Sequence, residues 1–251
     1  MRADEYLTLN GFFDSRTKAK QAIERGEVFF NGKQVIKSSA ETNGKDIKAE
    51  IKSAARFVSL GGYKLAKALK DFNFCVEGLT VADIGASTGG FTDCLLQKGA
   101  EKVYAVDLND GLLHNSLKND GRVISVIKNA KNLTDEDLVG TSLITADLSF
   151  ISVRQVLSVF YNILPDDGKV ILLIKPQFEI GERRRFKNGI IKDVKIVKNA
   201  CKDVFDAAIK AGFSALKMTA APVYDDKNTE FLILLAKGAN GGAAFDELFN
   251  F

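Results

Sequence analysis

From Thr80 onward the chain alternates short apolar runs with longer mixed stretches. Thr80–Ala86, Lys102–Leu108, Val123–Lys128, Ser142–Leu148, Lys169–Pro176, Ala215–Val223 and Phe231–Ala236 read as strands, being dense in Val, Ile, Leu and Ala. Helical stretches separate most of them, and this βαβ rhythm predicts an α/β domain built on a doubly wound, Rossmann-like sheet. The pattern ahead of Thr80 is different. Arg2–Asn10 reads as a helix with Tyr6, Leu7 and Leu9 among its apolar residues. Asp14 or Ser15 can cap a second helix, Arg16–Arg25, which Gly26 ends. In "EVFFNGKQVI", two apolar runs flank Asn31-Gly32, a hairpin signal because both turn positions need positive φ. The charged stretch "SSAETNGKDIKAEIKSAAR" closes this part, and "GANGGAAF" near the end reads as a flexible tail. The expected division is a small α+β unit with its linker over 1–59 and a larger unit over 60–251.

A chain of 251 residues can bury the cores of a large and a small domain. No apolar run approaches the roughly 20 residues that span a bilayer, and "MRADEYLTL" lacks the features of a signal peptide. A cytoplasmic, monomeric protein without a membrane partner is therefore expected. Cys75, Cys94 and Cys201 lack paired spacing and read as reduced, mostly buried hydrophobes rather than a metal site. His114 is the single histidine, which excludes a catalytic histidine pair and leaves little for metal chemistry. The net charge of +3 is unevenly placed. Residues 1–60 hold 11 basic against 8 acidic side chains, and the remainder holds 24 of each. That asymmetry points to a nucleic-acid partner for the N-terminal part.

The stretch "VADIGASTGGFTD", Val81–Asp93, runs from a strand through a glycine turn into a helix. A dinucleotide fingerprint needs glycine two places after the first, and here Ser87 follows Gly85-Ala86; a P-loop needs lysine, which "GGFT" lacks. Asp83, Gly85 and Gly89 match instead the acid-x-Gly-x-x-x-Gly turn of S-adenosylmethionine-dependent methyltransferases. Asp107, at the tip of the next strand, stands where a nucleoside ribose is gripped through its hydroxyls. The bland alternative is a tight turn in an empty Rossmann-like domain. "SLITADLSF" ends its apolar run at Asp147 and "KVILLIKPQFE" at Lys175, which places an acid and a base on the carboxyl rim of the sheet.

"SRTKAKQAIERGEVFFNGKQV" resembles the S4-type RNA-binding domain. In that resemblance Arg2, Arg16, Lys18, Lys20 and Lys33 are the expected RNA contacts; a solvated basic face is the alternative. "RFVSLGGYKL", "DIGASTGGFTD", "ADLSFIS", "IKPQFE" and "NTEFLILL", in this order behind the S4-like module, resemble the TlyA (haemolysin A) family. The resemblance implies a ribosomal RNA 2′-O-methyltransferase with an FtsJ-like catalytic domain whose last strand is antiparallel. It also implies a catalytic tetrad at Lys64, Asp147, Lys175 and Glu230. The cofactor would be S-adenosylmethionine, held by Asp83, Gly85, Ala86, Ser87, Thr88, Gly89 and Phe91 of the turn, with Asp107, Leu108 and Asp147 from neighbouring strand ends. Leu60 and "DLNDGLLH" depart from the family pattern, but no tetrad residue does.

The chemistry suits the residue types. A sulfonium methyl is already activated, so the enzyme aligns a ribose 2′-hydroxyl and removes its proton. With no histidine base to hand, Lys175 is the expected base, its charged form disfavoured by burial and by a second lysine. Lys64 would place the hydroxyl, and Asp147 and Glu230 would orient the two lysines. In "GERRRFKNG", Arg183, Arg184 and Arg185 are expected to meet phosphates close to the reaction. The target is expected to be a ribosomal cytidine, with a lean to 23S rRNA because the chain opens directly on the first S4-like helix. A membrane-active haemolysin and a non-catalytic assembly factor stand as alternatives.

Overall fold

The computed structural model describes residues 1–24, 26–42, 47–51, 57–181, 186, 189–223, 227–238 and 241–251. The chain divides into two compact units, Met1–Leu60 and Gly61–Val223 with Lys227–Phe251.

The first unit comprises helices α1 (Ala3–Leu9) and α2 (Arg16–Glu24) and strands β1 (Val28–Phe30), β2 (Lys33–Gln34) and β3 (Ala49–Ile51). Ala19, Ala22 and Ile23 fall on one face of α2 and pack with Ala3, Leu7, Val28 and Val35 in a small core. Ser15 is the residue that caps α2, its Oγ accepting from Lys18 N at 3.3 Å, while Asp14 pairs with the Lys18 ammonium. At the other end Gly26 adopts φ +77, and Glu27 N donates back to Ala22 O to close the helix. Asn31 (φ 50) and Gly32 (φ 77) form the tight turn joining β1 to β2. Two expectations change here. Leu9 is on the solvent side of α1, at 68% exposure. The charged stretch after the hairpin contains β3, which pairs antiparallel with the other edge of β1. Alternation of lone apolar residues among lysines hid that strand from the sequence pattern.

The second unit is a seven-stranded sheet in the order β6-β5-β4-β7-β8-β10-β9. Its strands are β4 (Thr80–Ile84), β5 (Lys102–Asp107), β6 (Val123–Ile127), β7 (Leu143–Ala146), β8 (Lys169–Ile174), β9 (Phe213–Ala220) and β10 (Phe231–Lys237). The helices are α3 (Leu60–Phe72), α4 (Gly90–Gln97), α5 (Asn115–Lys118), α6 (Leu157–Ile163), α7 (Pro176–Glu179), α8 (Val194–Lys210) and α9 (Phe245–Leu248). Strands β4 to β8 are parallel, and β10 lies antiparallel between β8 and β9. The chain builds outward from β4 through β5 to β6, then returns to place β7 on the other side of β4. The ends of β4 and β7 therefore part at the switch point of a doubly wound sheet, where such folds bind ligands.

Strand β9 starts two residues earlier and ends three earlier than the pattern predicts, because Pro222 lies just beyond the ladder. The last apolar residues of the chain form a ring cluster. Phe245 and Phe249 stack on one another, and Phe249 and Phe251 both meet Phe231, the first residue of β10. A cluster of rings thus covers the start of that strand. Helix α3 is fastened to β9 by polar bonds. Lys67 Nζ donates to Thr219 Oγ1 at 2.8 Å, Thr219 Oγ1 donates to Asp71 at 2.6 Å, and Lys217 Nζ donates to Phe72 O at 2.6 Å.

Candidate active site

The glycine turn after β4 is governed first by backbone geometry. Gly85 has φ +83, and a Cβ there would lie 2.7 Å from the carbonyl oxygen of Asp147. Glycine is thus required by the close approach of two strand ends, before any ligand is considered. Gly85 N and Ala86 N both donate to Val106 O, Ser87 N donates to Asp107 Oδ2 at 2.8 Å, and Gly89 N donates to Ala86 O. With these amides already bonded, the turn is a poor phosphate cradle. Gly89 serves packing: a Cβ there would run into Leu117 and Leu113.

Around this turn lies a cleft of about 760 Å³, counting its open mouth. Its floor is apolar, from Ile84, Val106, Ala130, Leu148 and Ile151. Asp107, Asn129, Asp147 and Ser149 supply polar edges. The donor set suits an adenosine with a cationic tail: an apolar slot for a base, and the Asp107 carboxylate with lone pairs left for hydroxyls. Asp147 adds a negative charge, and its buried Oδ1 takes no well-directed hydrogen bond although Lys175 Nζ is close.

Of the residues expected at the cofactor, Gly85, Ser87, Asp107, Leu108 and Asp147 line this cleft, and Ala86 faces a small adjoining crevice. Asp83, Thr88, Gly89 and Phe91 do not line it. Phe91 is core, and Thr88 O accepts from His114 N. Asp83 is fully buried beneath the turn, accepting from Thr92 Oγ1 at 2.6 Å and Thr145 Oγ1 at 3.2 Å. Burial, opposed by the two threonines and aided by the charge of Asp147, leaves its carboxyl raised to about 7. The wall from Lys128 to Lys131, after β6, was missed by motif reasoning, although a strand-end argument applied to β6 reaches it. Lys128 pairs there with Asp137 at 2.6 Å, and Lys131 with Gln155.

Beyond the cleft, the four residues of the expected tetrad form two ion pairs. Lys175 Nζ lies 2.5 Å from Asp147 Oδ1, and Lys64 Nζ lies 2.5 Å from Glu230 Oε2. All four side chains are largely buried, with exposures between 10 and 21%. The ladder relates the pairs: Phe231 is opposite Ile174, so Glu230 and Lys175 are the next residues outward on adjacent strands. Lys175 also donates to Ser149 Oγ at 2.8 Å. Glu179 staples the two strand-end segments together, with its side chain fully buried. It accepts from Ser152 Oγ and from Val153 N, and it pairs with Arg154 Nε at 3.3 Å. Phe150 is held at φ +71, is 78% exposed, and contacts the Phe178 ring. An exposed aromatic in a strained backbone beside a charged rim is a surface on which a base can stack.

In the first unit, Arg2 and Arg16 converge on Asp4, whose side chain is almost fully buried. Burial alone would raise the Asp4 carboxyl, but hydrogen bonds and charge from the two guanidiniums outweigh it and hold it below the usual carboxylate range. Lys18 pairs with Asp14, Lys20 lies 3.9 Å from Glu24, and Lys33 is exposed on β2. Arg183, Arg184 and Arg185 lie outside the described residues.

The model of the FtsJ-like methyltransferase family matches residues 57–237. "Hemolysin A" of Brachyspira hyodysenteriae is 39% identical over 240 residues, covering 92% of this chain and 98% of its own. The "16S/23S rRNA (cytidine-2′-O)-methyltransferase TlyA" of Mycobacterium tuberculosis is 34% identical, covering 93% of this chain and 89% of its own. Among solved structures, a candidate hemolysin from Streptococcus thermophilus is 36% identical with a TM-score of 0.74, covering 99% of this chain and 94% of its own. Sheet order, switch-point cleft and family match define the Rossmann-like architecture of an S-adenosylmethionine-dependent methyltransferase. The chain belongs to the TlyA/FtsJ-like methyltransferase family, homologous to ribosomal RNA methyltransferases and to relatives that bear the hemolysin name. Among the described residues no helix is long and apolar enough to cross a membrane.

Asp83 yields a prediction about stability. Its native carboxyl holds its proton up to about pH 7, whereas the unfolded carboxyl loses it near pH 4. The folded state then binds the extra proton, so stability falls as pH rises from about 4 to about 7 and levels off above. Between pH 5 and 8 the loss from this group is on the order of 2–3 kcal/mol. Urea unfolding should show a flatter pH profile for Asp83→Asn than for wild type over that window; parallel profiles would refute the assignment.

Proposed function

We propose that the protein transfers a methyl group from S-adenosylmethionine to a ribose 2′-hydroxyl of ribosomal RNA, with a cytidine of 23S rRNA as the leading target. The observation that carries this reading is the pair of buried lysine–carboxylate contacts on adjacent strand ends, one of which, through Asp147, forms part of the cleft wall. The name of the Mycobacterium tuberculosis relative supports the substrate class and includes 23S rRNA. When bound, S-adenosylmethionine supplies an electrophilic methyl carbon on a sulfonium. Asp107 would hold its ribose hydroxyls, with Gly85, Ser87 and Leu108 shaping the pocket. Lys64 positions the target hydroxyl and Lys175 accepts its proton. Asp147 and Glu230 hold the two lysines in place, and Phe150 stacks on the unpaired base. No metal is needed for this chemistry.

The first unit acts, in this reading, as an S4-type RNA-binding module in a cytoplasmic, monomeric enzyme. Its two helices, its three-stranded sheet and the basic excess in residues 1–60 support that role. Arg2 and Arg16 serve two ends, since they also neutralise Asp4. Lys18 and Lys33 are exposed and, with Lys20, are the expected phosphate contacts, and Arg183, Arg184 and Arg185 are expected as further contacts.

Replacing Lys175 by alanine should lower tritiated-methyl transfer to ribosomal subunits by about 10²–10⁴-fold, the usual worth of a general base. Cofactor affinity measured by calorimetry should stay close to wild type. A mutant retaining more than about a tenth of the rate, a loss under about 1.4 kcal/mol, would exclude Lys175 as base. Gly85→Val drives a side chain toward the Asp147 carbonyl and should abolish calorimetric binding of S-adenosylmethionine while circular dichroism still reports a folded chain. Unchanged binding would place the cofactor elsewhere. For the RNA module, Lys18→Glu with Lys33→Glu should weaken ribosome binding and flatten its log–log salt dependence by about 0.7–0.9 for each phosphate no longer neutralised. An unaltered slope would remove these two lysines from the interface.

A further inference from the structure

The ion pair at Lys175 raises a problem that the tetrad by itself does not solve. An ammonium has no lone pair, so Lys175 can accept a proton from a ribose hydroxyl only after it has given one away. Its side chain is buried, with the residue 8% exposed, and Asp147 occupies one side of its head group. Direct loss of a proton to bulk water is therefore hindered. Among the described residues the hydroxyl bonded to it is that of Ser149, whose Oγ accepts from Lys175 Nζ at 2.8 Å. Unlike the lysine, Ser149 is exposed, and it lines the mouth of the same cleft. Among the described residues no protein group takes the Ser149 hydroxyl proton. That proton is free to point to water.

We propose that Ser149 is the proton relay that readies Lys175 for catalysis, an inference that rests on the methyl-transfer reading above. In the step, one N–H bond of the Lys175 ammonium breaks and its proton moves to Ser149 Oγ. The hydroxyl proton of Ser149 passes at the same time to a water molecule at the cleft mouth. The serine is regenerated as a neutral hydroxyl, Lys175 is left as a neutral amine, and the proton departs as hydrated acid. The amine then takes the 2′-hydroxyl proton as the ribose oxygen bonds to the methyl carbon. The lysine returns to its ammonium form, paired again with Asp147. The Asp147 oxygen that contacts Lys175 is itself buried, so a proton placed on it has no direct path to water.

The position of Ser149 is built rather than accidental. It sits two residues past Asp147 on a segment whose next residue, Phe150, is held at φ +71. Glu179 fixes the following residues, Ser152 and Val153, to the helix turn that begins just after Lys175. Both partners of the relay are thereby carried on segments stapled to each other, which keeps the donor–acceptor distance short enough for transfer.

Two measurements on the full-length chain test the relay. In the first, single-turnover methyl transfer to ribosomal subunits is followed for wild type, Ser149→Ala and Ser149→Thr, with S-adenosylmethionine affinity measured in parallel. Ser149→Ala should be slower by about tenfold at unchanged cofactor affinity, Ser149→Thr should regain most of the rate, and added imidazole should accelerate the alanine variant selectively. A wild-type rate for Ser149→Ala, or a loss that neither threonine nor imidazole restores, overturns the proposal. The second measurement needs neither RNA nor cofactor. Exchange of the Lys175 ammonium protons with water, observed by nitrogen-edited NMR on lysine-labelled protein, should slow severalfold in Ser149→Ala. Unchanged exchange overturns the relay whatever the activity of the enzyme, and slowed exchange upholds it even if ribosomal RNA proves not to be the substrate.

Discussion

The carboxyl rim of the large sheet depends on the contact where β4 and β7 part. Gly85 approaches the Asp147 carbonyl so closely that a single added carbon would lie 2.7 Å from it. This approach brings the glycine turn and the Asp147 carboxylate into one geometry. It also sets the position of β8 relative to the turn, because β8 pairs with β7 and Lys175 lies just past its end. Positive φ at Gly85, and at Ser87 two residues on, lets the chain reverse without spreading the strand ends. The amides of that reversal bond inward, to Val106, Ala86 and Asp107. The same glycine-rich outline that serves phosphates in other folds here presents a carboxylate edge and an apolar floor. A cofactor with a cationic tail and no phosphate suits it.

Charges at the rim are buried in pairs, which limits the cost of removing them from water. An isolated lysine or carboxylate would lose several kcal/mol of hydration in such a place. Lys64 with Glu230, and Lys175 with Asp147, meet that cost by mutual contact, and Glu179 does so through Arg154 and backbone amides. Breaking either lysine pair would leave a charge without a partner, so both chemistry and stability favour keeping the set intact. Three supports hold the pairs from outside. Thr219, Asp71 and Lys67 fix the helix that bears Lys64, the ring cluster of Phe245, Phe249 and Phe251 covers the strand start next to Glu230, and Glu179 binds the segments of Asp147 and Lys175.

The first unit follows a related logic with an opposite result. Asp4 is a nearly buried acid whose charge is matched by Arg2 and Arg16, and these two arginines are among the residues best placed by sequence to meet RNA. Each must be shared between the fold and any phosphate it contacts. A guanidinium can do this because its five donors exceed what one carboxylate accepts. Lys18 has only a surface pair with Asp14, Lys33 is exposed on β2, and that exposure leaves each ammonium available.

Much of this was legible in the linear pattern. Apolar runs located every strand of the large sheet, most directly β4, β7 and β8, because fully buried parallel strands are continuous in composition. Asn31-Gly32 announced its hairpin through the φ values that only such a pair adopts readily. Strand ends located Asp107, Asp147 and Lys175, because the rule that ligands gather at the carboxyl rim needs only the end of each run. Family resemblance added Lys64 and Glu230, which lie far from that rim in sequence. Tertiary structure alone decided the rest. It placed Asp83 beneath the turn rather than in the cleft, since burial depends on which threonines meet it from α4 and β7. It recruited the segment after β6 as a cleft wall, and it gathered Phe245, Phe249 and Phe251 into an aromatic cover over the start of β10. It also showed that Gly89 makes room for Leu113 and Leu117 and that Gly85 makes room for Asp147. A sequence names which residues can fold locally and which can do chemistry. Distances between chain-remote atoms exist only once the sheet has closed, and those distances decide which carboxylate faces a ligand and which one a threonine.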